Sequence, residues 1–299
     1  MIAEQINIFE SIFRRLYFEY PKDAAAYFVT LVTREFPSTM KHISLDANST
    51  YPLLLRGRME LLEKGYVAKV LNLDDETIPA KKGELYLPVN PALIWEELQI
   101  EQAHAFDEEE IKRRNELVKE IGGSYTQNFK DYGASTIGKN ITIYYSGRWF
   151  FYTLINNLSQ NHHLDMMIGR LGSFKEPYIA FYQRMFHEHE GLHLRILYNF
   201  PLDRASKEDQ DKMQKSLEAI KKLKEEYPNN IEFMASQVPH ATSRRIIFSH
   251  GDGRPYMAVD GRKLLSIERE EPSYVGTIYF DEAAMSELKY NYEEAWTNT

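Results

Sequence analysis

Ser49-Thr50-Tyr51-Pro52-Leu53-Leu54-Leu55-Arg56-Gly57-Arg58-Met59-Glu60-Leu61-Leu62-Glu63-Lys64-Gly65-Tyr66-Val67 reads as one helix with its entry and its exit. The preceding cluster Asp46-Ala47-Asn48-Ser49 is a turn that supplies an N-cap. The helix then runs over residues 50–63, with Tyr51, Leu55, Met59 and Leu62 on one apolar face, and Gly65 takes the C-cap position. Beyond it, residues 66–71 alternate as a strand. A polar loop over 72–83 turns the chain, and residues 84–89 return as a second strand. Upstream, Met40 and Ile43 place a short helix over 39–45. Asp23 caps a helix over 23–36. A first helix over 6–20 carries the stripe Ile8, Phe9, Ile12, Phe13, Leu16 and Tyr17 and is closed by Pro21.

The short helix and its turn are too small to form a core, so they are expected to position the helix that follows. Helix, short helix, turn, longer helix and hairpin together predict a winged helix-turn-helix over residues 1–91. Residues 92–135 are helical and highly charged, with Ile111, Val118, Tyr125 and Tyr132 spaced seven apart and Ile121 and Phe129 between them. That spacing fits a linker helix that pairs in a homodimer, and it also fits an amphipathic helix packed on its own domain. Gly122-Gly123 interrupts the pattern.

Residues 136–299 change to short apolar strands alternating with helices. Strands are expected at 141–145, 164–168, 193–198, 231–235, 245–248, 256–259, 264–267 and 275–280, and helices at 149–158, 177–186, 207–226 and 282–296. The whole chain therefore reads as an α+β, α/β multidomain protein whose C-terminal α/β domain has a mixed sheet.

A chain of 299 residues with 43% hydrophobic residues is long enough for about two domains. It has no cysteine, which excludes disulfides and thiolate metal sites. No signal peptide and no apolar run of the ~20 residues a membrane span needs is found, so a soluble cytoplasmic protein with no membrane partner is expected. The net charge of −8 excludes nucleic-acid binding by bulk electrostatics and leaves only a local gathering of positive charge.

The run Ser49-Thr50-Tyr51 through Leu61-Leu62-Glu63-Lys64-Gly65-Tyr66-Val67, followed by Leu85-Tyr86-Leu87-Pro88-Val89-Asn90-Pro91, resembles the TrmB-like family of archaeal transcriptional regulators. Gly276-Thr277-Ile278-Tyr279-Phe280-Asp281, leading to a helix that ends in Trp296, resembles the closing strand and helix of phospholipase-D-like domains, which members of that family commonly carry. The resemblance implies a sequence-specific DNA-binding transcriptional regulator with an effector-sensing C-terminal half. Duplex DNA, a second copy of the chain and a small-molecule effector are the expected partners, and no cofactor is expected.

On that reading Ser49, Thr50 and Tyr51 face base edges, and Arg56 and Arg58 reach guanines or phosphates. Lys41, Lys64, Lys69, Lys81 and Lys82 hold the backbone from the flanking helix and the wing. Catalysis is not expected. A phospholipase-D-like enzyme needs a histidine with lysine two residues on, whereas His193 is followed by Arg195, His240 by Thr242 and His250 by Asp252. His189-Glu190-Gly191-Leu192-His193 fits the H-E-x-x-H zinc pattern, with His187 beside it, but a strand beginning at His193 takes the two imidazoles off a common helical face. No metal site is therefore assigned to His187, His189 and His193. Arg148, Arg195, Arg244, Arg245, His250 and Arg254 lie near strand ends and are candidates for an anionic effector or for structural ion pairs.

Overall fold

The computed structural model describes residues 2–34, 40–73, 85–102, 105–135, 140–156, 163–168, 178–189, 191–199, 206–236, 243–263 and 273–299. The chain divides into two compact units. Unit 1 comprises Met1–Ile137, Ile143–Asn156 and Ile267–Ser273. Unit 2 comprises Gly138–Thr142, Asn157–Ser266 and Tyr274–Thr299. Residues 92–135, read from the sequence as a linker, thus lie inside unit 1.

In unit 1, α1 (Ile2–Arg15) buries Ile8, Phe9, Ile12 and Phe13. It stops five residues before the expected end, and Tyr17 turns the chain with φ 58. Pro21 does not close α1 but opens α2 (Pro21–Thr33), because its fixed φ and missing N–H suit the first turn of a helix. Asp23 does not cap it either. The turn into α2 is held by the Glu60 carboxylate, which accepts from the backbone N–H groups of Glu19 (2.5 Å) and Tyr20 (2.8 Å). Every residue from Ala24 to Val32 is buried, so α2 is the central helix of the unit.

Next come α3 (Met40–Asp46) and α4 (Tyr51–Glu63), followed by Gly65 at φ 81, where the sequence places a C-terminal glycine. The buried face of α4 is Leu54, Gly57, Arg58, Leu61 and Leu62. This corrects the apolar face assigned from the sequence, since Tyr51 is 52% and Met59 50% exposed. The physical reason is Gly57. A Cβ there would stand 2.3 Å from the Asp23 carbonyl carbon and 2.4 Å from the Ala24 nitrogen, so the two helix backbones meet at this glycine and its flank turns inward.

The chain then forms an antiparallel hairpin of β1 (Val67–Leu73) and β2 (Leu85–Pro88), paired from Val67↔Pro88 to Val70↔Leu85. The expected helix over 92–135 is two helices, α5 (Pro91–Glu101) and α6 (Glu108–Ser135). The break has its own caps: Asn90 accepts from the Ala92 N–H to start α5, and Asp107 accepts from the Glu110 N–H to start α6. Gly122 and Gly123 do not interrupt α6. Its seam of Val118, Ile121 and Tyr125 is buried within the unit, where α6 packs on α1, α2 and α5. Arg114 donates to Ser11 Oγ, and Asn128 donates to the carbonyls of Val32 and Arg34. The seam that fitted a dimer is thus filled from within, and the reading as an amphipathic helix on its own domain is the one observed. The side chains of Phe129 and Tyr132 lie outside the described residues.

The chain passes between units within β3 (Asn140–Ser146) and returns to unit 1 as α7 (Gly147–Asn156). Ser146 Oγ accepts from the Trp149 N–H, and the buried Trp149 indole donates to the Leu87 carbonyl at 2.9 Å.

Unit 2 is a mixed sheet with strand order β9-β8-β7-β4-β5-β6. Strands β4 (His163–Ile168), β5 (His193–Tyr198) and β6 (Ile231–Ala235) are parallel, joined through α8 (Tyr178–Glu188) and α9 (Lys207–Glu226). Strands β7 (Ser243–Ser249), β8 (Pro255–Lys263) and β9 (Ser273–Tyr279) are antiparallel. The closing helix α10 (Glu282–Thr297) packs Met285 and Tyr292 against Met167, Leu197, Ile247 and Ala258. The strand expected over 264–267 lies outside the described residues. Where β9 pairs with β8, Gly276 faces Gly261, and a Cβ on Gly276 would approach the Asp260 carbonyl oxygen to 2.5 Å. Gly276→Val is expected to lower stability by about 1–3 kcal/mol through overpacking, read by urea unfolding. An unchanged midpoint would contradict this packing.

Candidate nucleic-acid interface

The site begins with the start of α4. Thr50 occupies the N-cap with extended backbone, its side chain makes no cap hydrogen bond, and it is exposed, as are Tyr51 and Pro52. Ser49 is half-buried in the turn before it. Along the same exposed side lie Leu53, Arg56 and Met59.

The two arginines of α4 part company. Arg56 has a side chain 48% exposed, bonds Asp23 at 2.7 Å and lies over the Tyr20 ring at 4.6 Å. It is therefore at the surface with a local counter-charge. Arg58 is only 6% exposed, and its guanidinium stacks on the Tyr86 ring at 4.8 Å, which ties α4 to the hairpin. It points into unit 1, so its assignment to DNA contact is corrected. The long arginine stem tolerates burial when its planar head finds an aromatic face.

Lys64 ends α4 and lies over the Phe18 ring at 5.3 Å, while Lys69 sits half-buried on β1. Lys41 belongs to α3, but its side chain lies outside the described residues, as do Lys81 and Lys82 in the loop between β1 and β2. The structure thus exposes Thr50, Tyr51 and Arg56, leaves Ser49 half-buried and withdraws Arg58. Sequence reasoning missed Leu53, 36% exposed, and the exposure of Met59. The signal was Gly57, since a glycine at a helix crossing sets which flank faces inward.

The basic residues near strand ends are engaged in structural pairs. In unit 1, Arg148 bonds the buried Glu97 (3.3 Å) and the Lys64 carbonyl (2.8 Å) and stacks over Tyr66. Burial, and then Glu97, which accepts from the Tyr66 hydroxyl at 3.1 Å, hold that phenol well above its ordinary pKa. In unit 2, Arg245 bonds Asp260, Arg254 bonds Asp252, Arg244 stacks on Tyr274, and the His250 ring lies against Tyr256. Arg195 reaches Asp165 at 2.7 Å and Glu293 at 2.5 Å.

The H-E-x-x-H segment is split as its sequence context indicates. α8 ends at Glu188, His189 follows it, and His193 starts β5 with its Nε2 bonded to Glu232 at 3.0 Å. His187 is exposed in the last turn of α8, and Glu190 lies outside the described residues. Among the described residues no group of three or more His, Asp or Glu is arranged to hold a metal ion. No helix among them is long and apolar enough to cross a membrane. The chain matches no protein-family model, no curated protein and no solved structure.

Proposed function

We propose that unit 1 is a winged helix-turn-helix that binds duplex DNA, and that the protein is a sequence-specific transcriptional regulator without catalytic activity. The observation that carries this reading is the two-sidedness of α4. One side locks to α2 through Gly57 and to the hairpin through Arg58, while Leu53 and Arg56 on the other side, and Thr50 and Tyr51 at the first turn, are exposed to solvent. A helix held rigidly from behind with its first turn exposed is the arrangement that reads a major groove, and an adjacent hairpin suits backbone contact. The resemblance to TrmB-like regulators and their phospholipase-D-like domains supports the same assignment, with unit 2 as the regulatory half.

In this reading Tyr51 and Thr50 meet base edges, and Arg56 exchanges Asp23 for a guanine or a phosphate. Lys41, Lys69, Lys81 and Lys82 supply the local positive charge that a chain of net charge −8 requires. A homodimer presents two such faces, through a surface other than the α6 seam. Arg56→Ala is expected to weaken binding to a preferred fragment by roughly 1–3 kcal/mol. Equal affinity of variant and parent at matched salt removes Arg56 from the interface.

A second reading follows from the exposed apolar side chains of α4, Leu53 and Met59 along one flank and Tyr51 at the first turn, which suit a protein partner. A gel shift of the full chain across genomic fragments with competitor DNA separates the two. Preference for particular fragments supports the regulator, and no preference supports the protein-docking module.

A further inference from the structure

Arg56 does not stand free on the exposed flank of α4. Its guanidinium donates to Asp23 of α2 at 2.7 Å and lies over the Tyr20 ring at 4.6 Å, so its head is drawn toward the start of α2. The Asp23 side chain is 13% exposed and short, while that of Arg56 is 48% exposed and long, so the anion is the fixed partner and the cation the movable one. The fold does not depend on this pair. α4 already meets α2 backbone to backbone at Gly57, and Glu60, one turn beyond Arg56, accepts from the Glu19 and Tyr20 N–H groups. An ion pair this exposed adds little to such a contact.

Further along the flank the charge changes sign. Leu53, Arg56, Glu60 and Glu63 follow one another at helical spacing, and Glu63 is exposed. The Glu60 contact brings Glu19, also exposed, beside them. In the free protein the cation proposed for DNA is thus paired and bordered by carboxylates. A DNA phosphate and the Asp23 carboxylate are alternative anions for one guanidinium. Binding through Arg56 exchanges the second for the first and leaves Asp23 uncompensated near the phosphates of the duplex. Both effects oppose association.

We propose, on the reading that unit 1 binds duplex DNA, that Asp23 is a built-in competitor of that DNA: it holds Arg56 in the free protein and keeps the affinity of α4 below what its cations alone would give. The two ends of one ion pair then have opposite effects. Loss of Arg56 weakens binding, and loss of the Asp23 charge strengthens it. A pair that served only to hold α2 to α4 would weaken binding when broken from either end.

The experiment is fluorescence-anisotropy titration of the full chain with a duplex selected from genomic fragments, comparing the parent, Asp23→Asn, Arg56→Ala and the double variant at two salt concentrations. Asparagine keeps the size of Asp23 and removes its charge. Asp23→Asn is expected to bind about three- to fivefold more tightly than the parent, the strong end of what an exposed ion pair is worth. Its affinity should also fall more steeply with salt, since one more cation is free to displace counterions. In the Arg56→Ala background the gain should largely disappear, because no guanidinium remains to be released. Equal or weaker binding by Asp23→Asn, or the same gain with and without Arg56, overturns the role of Asp23. Should Asp23→Asn not fold, Asp23→Ser, which also suits the start of a helix, is read in its place. If neither the parent nor the Asp23 variant binds any duplex, DNA binding by unit 1 fails and the role of Asp23 with it. Binding by the parent without a gain in the variant refutes the role of Asp23 alone.

Discussion

Replacing Gly57 by alanine is expected to destabilise unit 1 by about 3 kcal/mol, at the upper end of ordinary overpacking costs. The new methyl would lie 2.3 Å from the Asp23 carbonyl carbon, 2.4 Å from the Ala24 nitrogen and 2.5 Å from the Asp23 oxygen. These are backbone atoms, which cannot swing aside as a flexible side chain does, so α4 must lift from α2. The roughly 1 kcal/mol that alanine gains over glycine in a helix interior offsets only part of this. Gly123→Ala supplies the control. It sits on the exposed side of α6 with nothing within 4 Å of an added Cβ, and should stabilise by roughly 0.5–1 kcal/mol. Urea unfolding, with amide exchange to assign the loss to unit 1, checks both. A neutral Gly57→Ala would contradict a close backbone crossing of α2 and α4. Because the crossing also aims the exposed side of α4, the variant should weaken any DNA binding more than its folded fraction explains.

The second large effect concerns Arg195. Its guanidinium lies beside the rings of Tyr292 and Trp296 and bonds Asp165, which is fully buried. Arg195→Leu leaves Asp165 with Lys289 alone and strips Glu293 of its two-point contact. Breaking a buried pair from one side costs about 3–5 kcal/mol when the remaining charge is left alone, and because Lys289 still compensates Asp165 in part the loss is expected at about 3 kcal/mol, the lower end. The double replacement of Arg195 and Asp165 by leucine should recover much of that loss, with Lys289 still bonded to Glu293 at 3.1 Å. Losses that simply add would show that the two residues act separately.

A pH arm reads the same contact. Bonds from Arg195 in the first place, and from Lys289, hold Glu293 at a pKa of about 2, below its ordinary 4.5. A carboxylate depressed on folding contributes stability above its unfolded value, and that contribution is lost as the pH falls from about 4.5 through 2. Arg195→Leu should flatten stability against pH across that interval.

Much of the architecture was legible because the apolar periodicities are strong. The strands over 193–198 and 231–235 and the helix over 207–226 occur at their expected bounds. Boundaries set by single turn residues were less legible. Pro21 fits a helix's first turn as well as its aftermath, and only the carboxylate of Glu60, forty residues away, fixes which role it takes. The α5–α6 break was hidden for a similar reason, since Gln102 to Asp107 lacks glycine and proline, while Gly122-Gly123 looked like a break and was not one.

At the candidate site, the sequence placed Thr50 and Arg56 at a surface, set Tyr51 both on the apolar face and against base edges, and put Arg58 at the surface too. An arginine on a helix reads as solvated unless its aromatic partner is known, and Tyr86 lies on a distant strand. Of the α6 heptad, Val118, Ile121 and Tyr125 form a buried seam, and the spacing left two possible occupants. Spacing alone does not tell a partner helix from α1, α2 and α5 of the same chain.

Duplex DNA is the proposed ligand of the exposed first turn and flank of α4. Fluorescence-anisotropy titration of the full chain tests this most directly, using a duplex selected from genomic fragments, with Tyr51→Ala alongside the parent at two salt concentrations. Expected are preference for the selected duplex over competitor, affinity that falls with salt as phosphate contacts require, and a loss of about tenfold in Tyr51→Ala, within the roughly 1–3 kcal/mol of a base contact. Binding that shows no preference for any duplex, or identical curves for Tyr51→Ala and the parent, would contradict it.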